Sequence, residues 1–221
     1  ILCYPRMETG QAQACFHSCV GRIRYAGILL YDADRIQEIA TAPESELVTA
    51  QRSIILNPSD PVVMAAAKEN GLDDKWLEAA QKSPVYKFVK EWELALPLHA
   101  EFRTLPMLFY IPPLLPAIAS TNNGNYNLAD GQFFGNIEGS RIPIKYMSRL
   151  FSAGNEAIMQ SVLRKLWAVR TYEQAKHVGP IDENQAVAQL TEAGCTIEDA
   201  EQISRLTALP RFSDRYVLPP Y

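Results

Sequence analysis

Two dipeptides, Asp60-Pro61 and Ser83-Pro84, do most to limit what this chain can fold into. Each sets a side-chain oxygen directly before a proline, and that pairing starts helices. The oxygen accepts an unpaired amide hydrogen of the first turn, and proline fills a position whose own N–H would lack a partner. Gly71 supplies a stop for the first of these helices. Behind the second, Val85, Phe88, Val89, Trp92 and Leu96 form one apolar stripe, predicting a helix that runs to Pro97.

The same punctuation recurs along the chain. A helical period begins at Asp32, and Asp73 can cap a short helix carrying Trp76, Leu77 and Ala80. Asn155 can cap a long helix in which Ile158, Val162, Leu166 and Val169 recur at three- and four-residue spacing, with Met159, Leu163 and Trp167 widening the stripe. Thr196 with Asp199 makes a capping box before Ile197, Ala200, Ile203 and Leu206, and Pro210 closes that helix. Strands are expected only at residues 22–31, where a continuous apolar run follows alternation, and at 105–111, which Pro112-Pro113 ends. Residues 119–140, rich in Asn and Gly, read as an irregular loop, and the tail RFSDRYVLPPY as extended chain along a surface. The fold class is therefore α+β and mostly helical.

A chain of 221 residues makes one large domain or two small ones and buries about 70% of its unfolded surface, so disulfide staples are not required. Its formal net charge of −4, with no stripe of Lys and Arg, excludes a general nucleic-acid binder. No stretch reaches the ~20 apolar residues of a membrane span. Residues 105–118 come closest, and four prolines in those fourteen residues exclude a helix. The start lacks both Met and the features of a secretory signal, which reads as a chain cut inside a longer protein.

Of the four cysteines, Cys3, Cys15 and Cys19 crowd into the first nineteen residues, and none follows until Cys195. So uneven a spread is not a secreted disulfide framework and points to a reducing compartment. Three readings of the cluster stand side by side. Cys3, Cys15, His17 and Cys19 have the count and ligand types of a structural zinc site, without the familiar paired-thiol spacing. The three-residue gap between Cys15 and Cys19 is also the gap before the last cysteine of bacterial ferredoxin runs, where flanking cysteines serve different clusters. Or all three are unrelated thiols, since free cysteine behaves as a small apolar residue. Arg22 and Arg24 follow closely and can offset thiolate charge, as can any exposed strand face carry arginines. His99 and His177 stand apart from other ligand types. The chain carries no serine elbow, Gly-rich phosphate loop or HExxH, and no pair of its carboxylates stands out as a general acid and base, so no catalytic residue is assigned.

The stretches CYPRMETGQAQACFHSCVGRIRYAGILLYDAD, SPVYKFVKEWELALPLHAEFRTLPMLFYIPPL and RIPIKYMSRLFSAGN together resemble the beta subunits of membrane-bound respiratory nitrate reductases, over nearly the whole chain. The resemblance is to the C-terminal half of such a subunit. It implies that residues 1–31 are the remnant of a ferredoxin-like, cluster-binding region and residues 32–221 a helical C-terminal domain. It implies an electron-transfer role, through iron–sulfur clusters, from a haem b membrane gamma subunit to a molybdenum catalytic alpha subunit. Such a complex lies at the cell membrane, with this subunit peripheral on the cytoplasmic side and held there by its partners.

By the same resemblance, Cys3 and Cys15 match ligands of one 4Fe–4S cluster and Cys19 matches a ligand of its neighbour. His17 and Cys195 match no ligand position. In the family pattern a Cys-x-x-Cys pair spans this point, its first member falling just before Ile1, and the family's 3Fe–4S ligands fall outside this chain. Three thiolates cannot complete two clusters, so the chain alone is expected to hold none and residues 1–20 to be rearranged or loosely held. Related nitrite, chlorate or selenate oxidoreductases, and a helical interaction module without redox role, are the alternative functions.

Overall fold

In the computed structural model, which describes residues 3–114, 142–178 and 182–219, helices carry most of the chain and strands occur only as two-residue pairs. Helices α1 (Tyr4–Glu8) and α2 (Ala14–His17) precede strand β1 (Leu30–Tyr31). A 3-10 turn, Ala33–Arg35, leads into α3 (Ile36–Ala40) and then α4 (Leu47–Ser53). Strand β2 (Ile55–Leu56) pairs antiparallel with β1, setting Leu30 against Leu56. Helices α5 (Pro61–Glu69), α6 (Asp74–Lys82) and α7 (Pro84–Tyr86) follow, and β3 (Leu96–Pro97) pairs antiparallel with β4 (Phe109–Tyr110). The later part consists of α8 (Ile144–Phe151), α9 (Glu156–His177), α10 (Glu183–Glu192), α11 (Ile197–Ala208) and α12 (Phe212–Arg215). This is the mostly helical α+β chain expected; the loop expected at 119–140 lies outside the described residues.

The caps form as the sequence indicates. The Asp60 carboxylate accepts the Val62 amide at 2.8 Å, Ser83 Oγ accepts that of Val85 at 3.2 Å, and Asn155 accepts that of Ile158 at 3.2 Å. Thr196 and Asp199 exchange both bonds of a capping box. Gly71 ends the Asp60 helix with φ +84°, a left-handed turn that a Cβ would strain.

Helix α9 is the hub, packed against α8, α10 and α11. Its Met159, Val162, Leu163 and Val169 are buried in one core with Phe88, Trp92, Leu94, Leu96, Leu190 and Ile203. Tyr25 and Leu29 pack on the edge of that core, which seats the early segment on the helical body.

Three elements depart from expectation. The stripe from Val85 does not stay α-helical to Pro97. Past Tyr86 it widens into a π-helix over Lys87–Glu91, and the Trp92 amide bonds back to the Lys87 carbonyl at 2.8 Å. Glu93 then turns left-handed at φ 55°, and Leu94 and Ala95 both donate to the Phe88 carbonyl, so Leu96 enters the core from a strand. Just past the π-helix, the Trp92 indole donates to Asp199, 2.9 Å away.

Residues 22–31 pair at only two places, through β1 at the far end and through a single parallel bridge from Ala26, mid-segment, to Tyr216. Between those points Gly27 passes so close to Ser83 that an added Cβ would lie 1.8 Å from its hydroxyl. Of residues 105–111, only Phe109–Tyr110 joins a ladder. The tail is not wholly extended: Phe212–Arg215 makes a helical turn before the Tyr216 bridge.

Candidate functional site

The three early cysteines sit on a segment of short helices rather than on a strand. Cys3 precedes α1 in a left-handed conformation (φ 58°, ψ 40°), and its carbonyl accepts the amides of Arg6 and Met7. The Arg6 side chain donates to the Ala12 carbonyl at 2.8 Å and so ties α1 to the approach of α2. Cys15 lies on α2 and is exposed; Cys3 and Cys19 are partly covered. All are free thiols, as is buried Cys195, whose ionisation burial pushes upward.

Cys19 has the most distinctive surroundings. The backbone N–H of Ile23, then those of Arg22 and Arg24, reach its sulfur, with the Arg24 charge adding to them, and its pKa is held below the usual thiol value. Arg22 in the same segment is left-handed, at φ 52°. Amides aimed at sulfur in this way favour a thiolate, the form that binds metal.

The opposite end of the chain closes on this segment. Phe16, buried between Cys15 and Cys19 in sequence, meets Phe212 and Tyr216 edge-on at centroid distances of 5.8 and 5.6 Å. The Arg215 guanidinium lies 4.7 Å from the centre of the Phe16 ring. Ala26 donates to the Arg215 carbonyl at 2.7 Å, Val217 donates to Ala26 at 3.0 Å, and the Tyr216 hydroxyl donates to Gln11 at 3.2 Å. Tyr25 adds a bond to the Leu206 carbonyl at the end of α11.

Among the described residues, no three His, Cys, Asp or Glu side chains converge as a metal would require. The zinc set of Cys3, Cys15, His17 and Cys19 is thus not assembled, and the His17 ring instead stacks on Phe212. His99 and His177 each pair with a glutamate, Glu101 and Glu173. As donors to an iron–sulfur centre, the three thiols fit in chemistry and are incomplete in number, since such a centre takes four thiolates. The amides around Cys19 match what that role needs, because hydrogen bonds to sulfur tune such centres. A cleft beside Leu98, His99, Met107 and Tyr110 has no carboxylate, Lys, Arg or Cys in its lining.

Sequence reasoning found the thiols and missed what holds them. Arg215 is 7% exposed, and its Nε and Nη1 have no hydrogen-bond acceptor among the described residues. An isolated buried charge costs several kcal/mol. Nothing in the spacing of RFSDRYVLPPY signals this, because the partners lie at the other end of the chain.

A family model described as respiratory nitrate reductase beta C-terminal matches residues 114–196. The chain is 42% identical over 221 residues to the respiratory nitrate reductase 1 beta chain of Escherichia coli (strain K12), an alignment covering 99% of this chain and 42% of that one. It is 40% identical over 219 residues to the nitrate reductase beta chain of Bacillus subtilis (strain 168), covering 99% of this chain and 44% of that one. A more distant match is the chlorate reductase subunit beta of Ideonella dechloratans, 30% identical over 152 residues, or 69% of this chain and 29% of that one. The chain therefore spans less than half the length of these curated relatives.

Proposed function

This chain is a homologue of the respiratory nitrate reductase beta chains, and we propose that it forms the C-terminal part of an electron-transfer subunit of such a complex. In this reading residues 1–31 belong to a ferredoxin-like cluster-binding region and residues 32–221 form the helical domain behind it. Cys3 and Cys15 donate thiolates to one 4Fe–4S centre and Cys19 to its neighbour, the other ligands coming from parts of the parent protein outside this chain. Those centres, when bound, supply one-electron carriage from a haem b membrane subunit to a molybdenum subunit.

The chain's own residues supply placement and charge. Splitting Cys15 and Cys19 between two centres keeps the centres adjacent, as serial transfer requires. The amides of residues 22–24 favour negative charge on the Cys19 sulfur, and buried Phe16 anchors the stretch between the two thiols to the protein body. The tail fastens that stretch to the helical body through Arg215 and Tyr216. No helix among the described residues is long and apolar enough to cross a membrane. By the same likeness to nitrate reductase beta chains, the reading assigns membrane attachment, on the cytoplasmic side, to partner subunits.

The observation that carries this reading is identity of 40–42% to nitrate reductase beta chains over 99% of the chain, cysteine segment included. The test is an iron and acid-labile sulfide assay on the full-length parent, purified without oxygen. Several clusters' worth of iron and sulfide is expected; a colourless, iron-free protein would leave a helical interaction module in its place. The chlorate reductase match supports a second reading, the same wire serving a different catalytic subunit, at lower identity. Comparing nitrate with chlorate reduction by the intact complex decides between them.

A further inference from the structure

Arg215 carries a permanent positive charge into the loop that bears the cysteines. Its guanidinium lies over Phe16, and its carbonyl takes the amide of Ala26. Phe16 follows Cys15 directly in sequence, so the charge lies against the helix that carries Cys15, while the Arg215 backbone ties the tail to Ala26. Two of its donors, Nε and Nη1, have no acceptor among the described residues, although the residue is 7% exposed.

The neighbouring groups do not answer that charge. Asp214 is committed elsewhere: its carboxylate takes a bond from Arg205 at 3.0 Å and the Arg211 amide at 2.9 Å. Tyr25 spends its hydroxyl on Leu206. Gln13 also carries a buried, unpaired Oε1 at the start of α2, but a neutral amide does not balance a cation. Arginine does not shed its proton in a protein, and its planar fork is shaped for anionic acceptors. Two unpaired donors on a buried cation therefore call for an anion that reaches this turn from outside the described chain.

We propose that Arg215 is a positioning residue whose unpaired donors and charge serve the anionic iron–sulfur centres ligated from the Cys15–Cys19 turn. The inference rests on the electron-transfer reading above. Thiolates and inorganic sulfide make such a centre negative, and one added electron makes it more so. A buried cation nearby thus stabilises the reduced form and raises the reduction potential. The competing source of the same charge is a carboxylate from another part of the parent protein. That carboxylate would neutralise Arg215 and remove its influence on the centres.

The test uses the full-length parent in its complex, with Arg215→Met and Arg215→Lys, followed by potentiometric titration read by electron paramagnetic resonance. With iron content retained, Arg215→Met should move one centre to lower potential, leaving several-fold less of it reduced at the wild-type midpoint. Arg215→Lys, which keeps the charge, should restore most of that population. If Arg215→Met loses iron, Arg215→Gln carries the same expectation. Unchanged potentials at full iron content, the carboxylate outcome, overturn the proposal. So do equal shifts in the Lys and Met variants, which mark a packing role alone. A wild-type parent without iron would instead defeat the electron-transfer reading itself.

Discussion

The ring of Phe16 meets the ring of Tyr216 edge-on, 5.6 Å between centroids and 69° between planes, so the two ends of the chain pack directly on each other. This contact, with the Tyr216–Ala26 bridge, fixes where the cysteine turn lies on the helical body.

Removing the ring should loosen that attachment. Phe16 is 4% exposed, and truncation of a buried Phe costs about 3 kcal/mol or more. Phe16→Ala should lower the urea midpoint of the 221-residue chain with little change in slope. An unchanged midpoint would mean that the two ends do not pack in solution.

Much of this architecture was legible locally. Asp60, Asp73, Ser83, Asn155 and Thr196 each cap the helix that their position announced, because a cap needs only residues within one turn. The stripe at Val85 departs from an α-helix at its far end, where the backbone widens into a π-helix and Trp92 bonds to Asp199 on a helix distant in sequence, a contact that local spacing does not reveal. The thiols of the candidate site were visible as residue types. Arg215 and Tyr216 were not, since only the folded chain sets them against Phe16 and Ala26.

Gly27 offers a strict test of the path between the cysteine turn and the core. A Cβ there would fall 1.8 Å from Ser83 Oγ and 2.8 Å from Ser83 Cβ, while Ser83 caps α7 and is itself buried. Overpacking of this kind costs roughly 1–3 kcal/mol. Gly27→Ala should therefore lower the melting temperature by several degrees, and the double variant Gly27→Ala, Ser83→Gly should recover part of the loss. A neutral Gly27→Ala would contradict the close approach.

Tyr25 predicts an alkaline limit to stability. Burial, first among its influences, pushes its pKa up to about 12 from an ordinary value of 10.0. Below pH 10 both folded and unfolded states keep the proton. Between 10 and 12 only the unfolded state releases it, so stability falls as pH rises through that window. Tyr25 is only partly buried, so solvent screening reduces the effect to roughly 1–2 kcal/mol. Urea titrations at stepped pH should show this slope, and Tyr25→Phe should flatten it. An equal slope in the variant would assign it to other groups.

At the acid end the relevant pair is Trp92 and Asp199. Burial works against the ionised Asp199, but the Thr196 hydroxyl, the Trp92 indole N–H and the Lys87 charge outweigh it and lower its pKa from 3.8. This stabilisation is present above 3.8 and lost as pH falls through the lower folded value. A hydrogen bond to a charged acceptor contributes about 2 kcal/mol. Trp92→Phe should cost about that much near neutrality, and its deficit should narrow in strong acid as Asp199 protonates. A deficit independent of pH would mean that lost packing alone explains it.

The central claim is that Cys15 and Cys19 serve two different centres from one turn. The direct measurement is electron paramagnetic resonance of the full-length parent, in its complex, carrying Cys15→Ala or Cys19→Ala singly. The account predicts that each variant loses or alters a different 4Fe–4S signal and leaves the other in place. Loss of one and the same signal in both variants, with the rest intact, would contradict it.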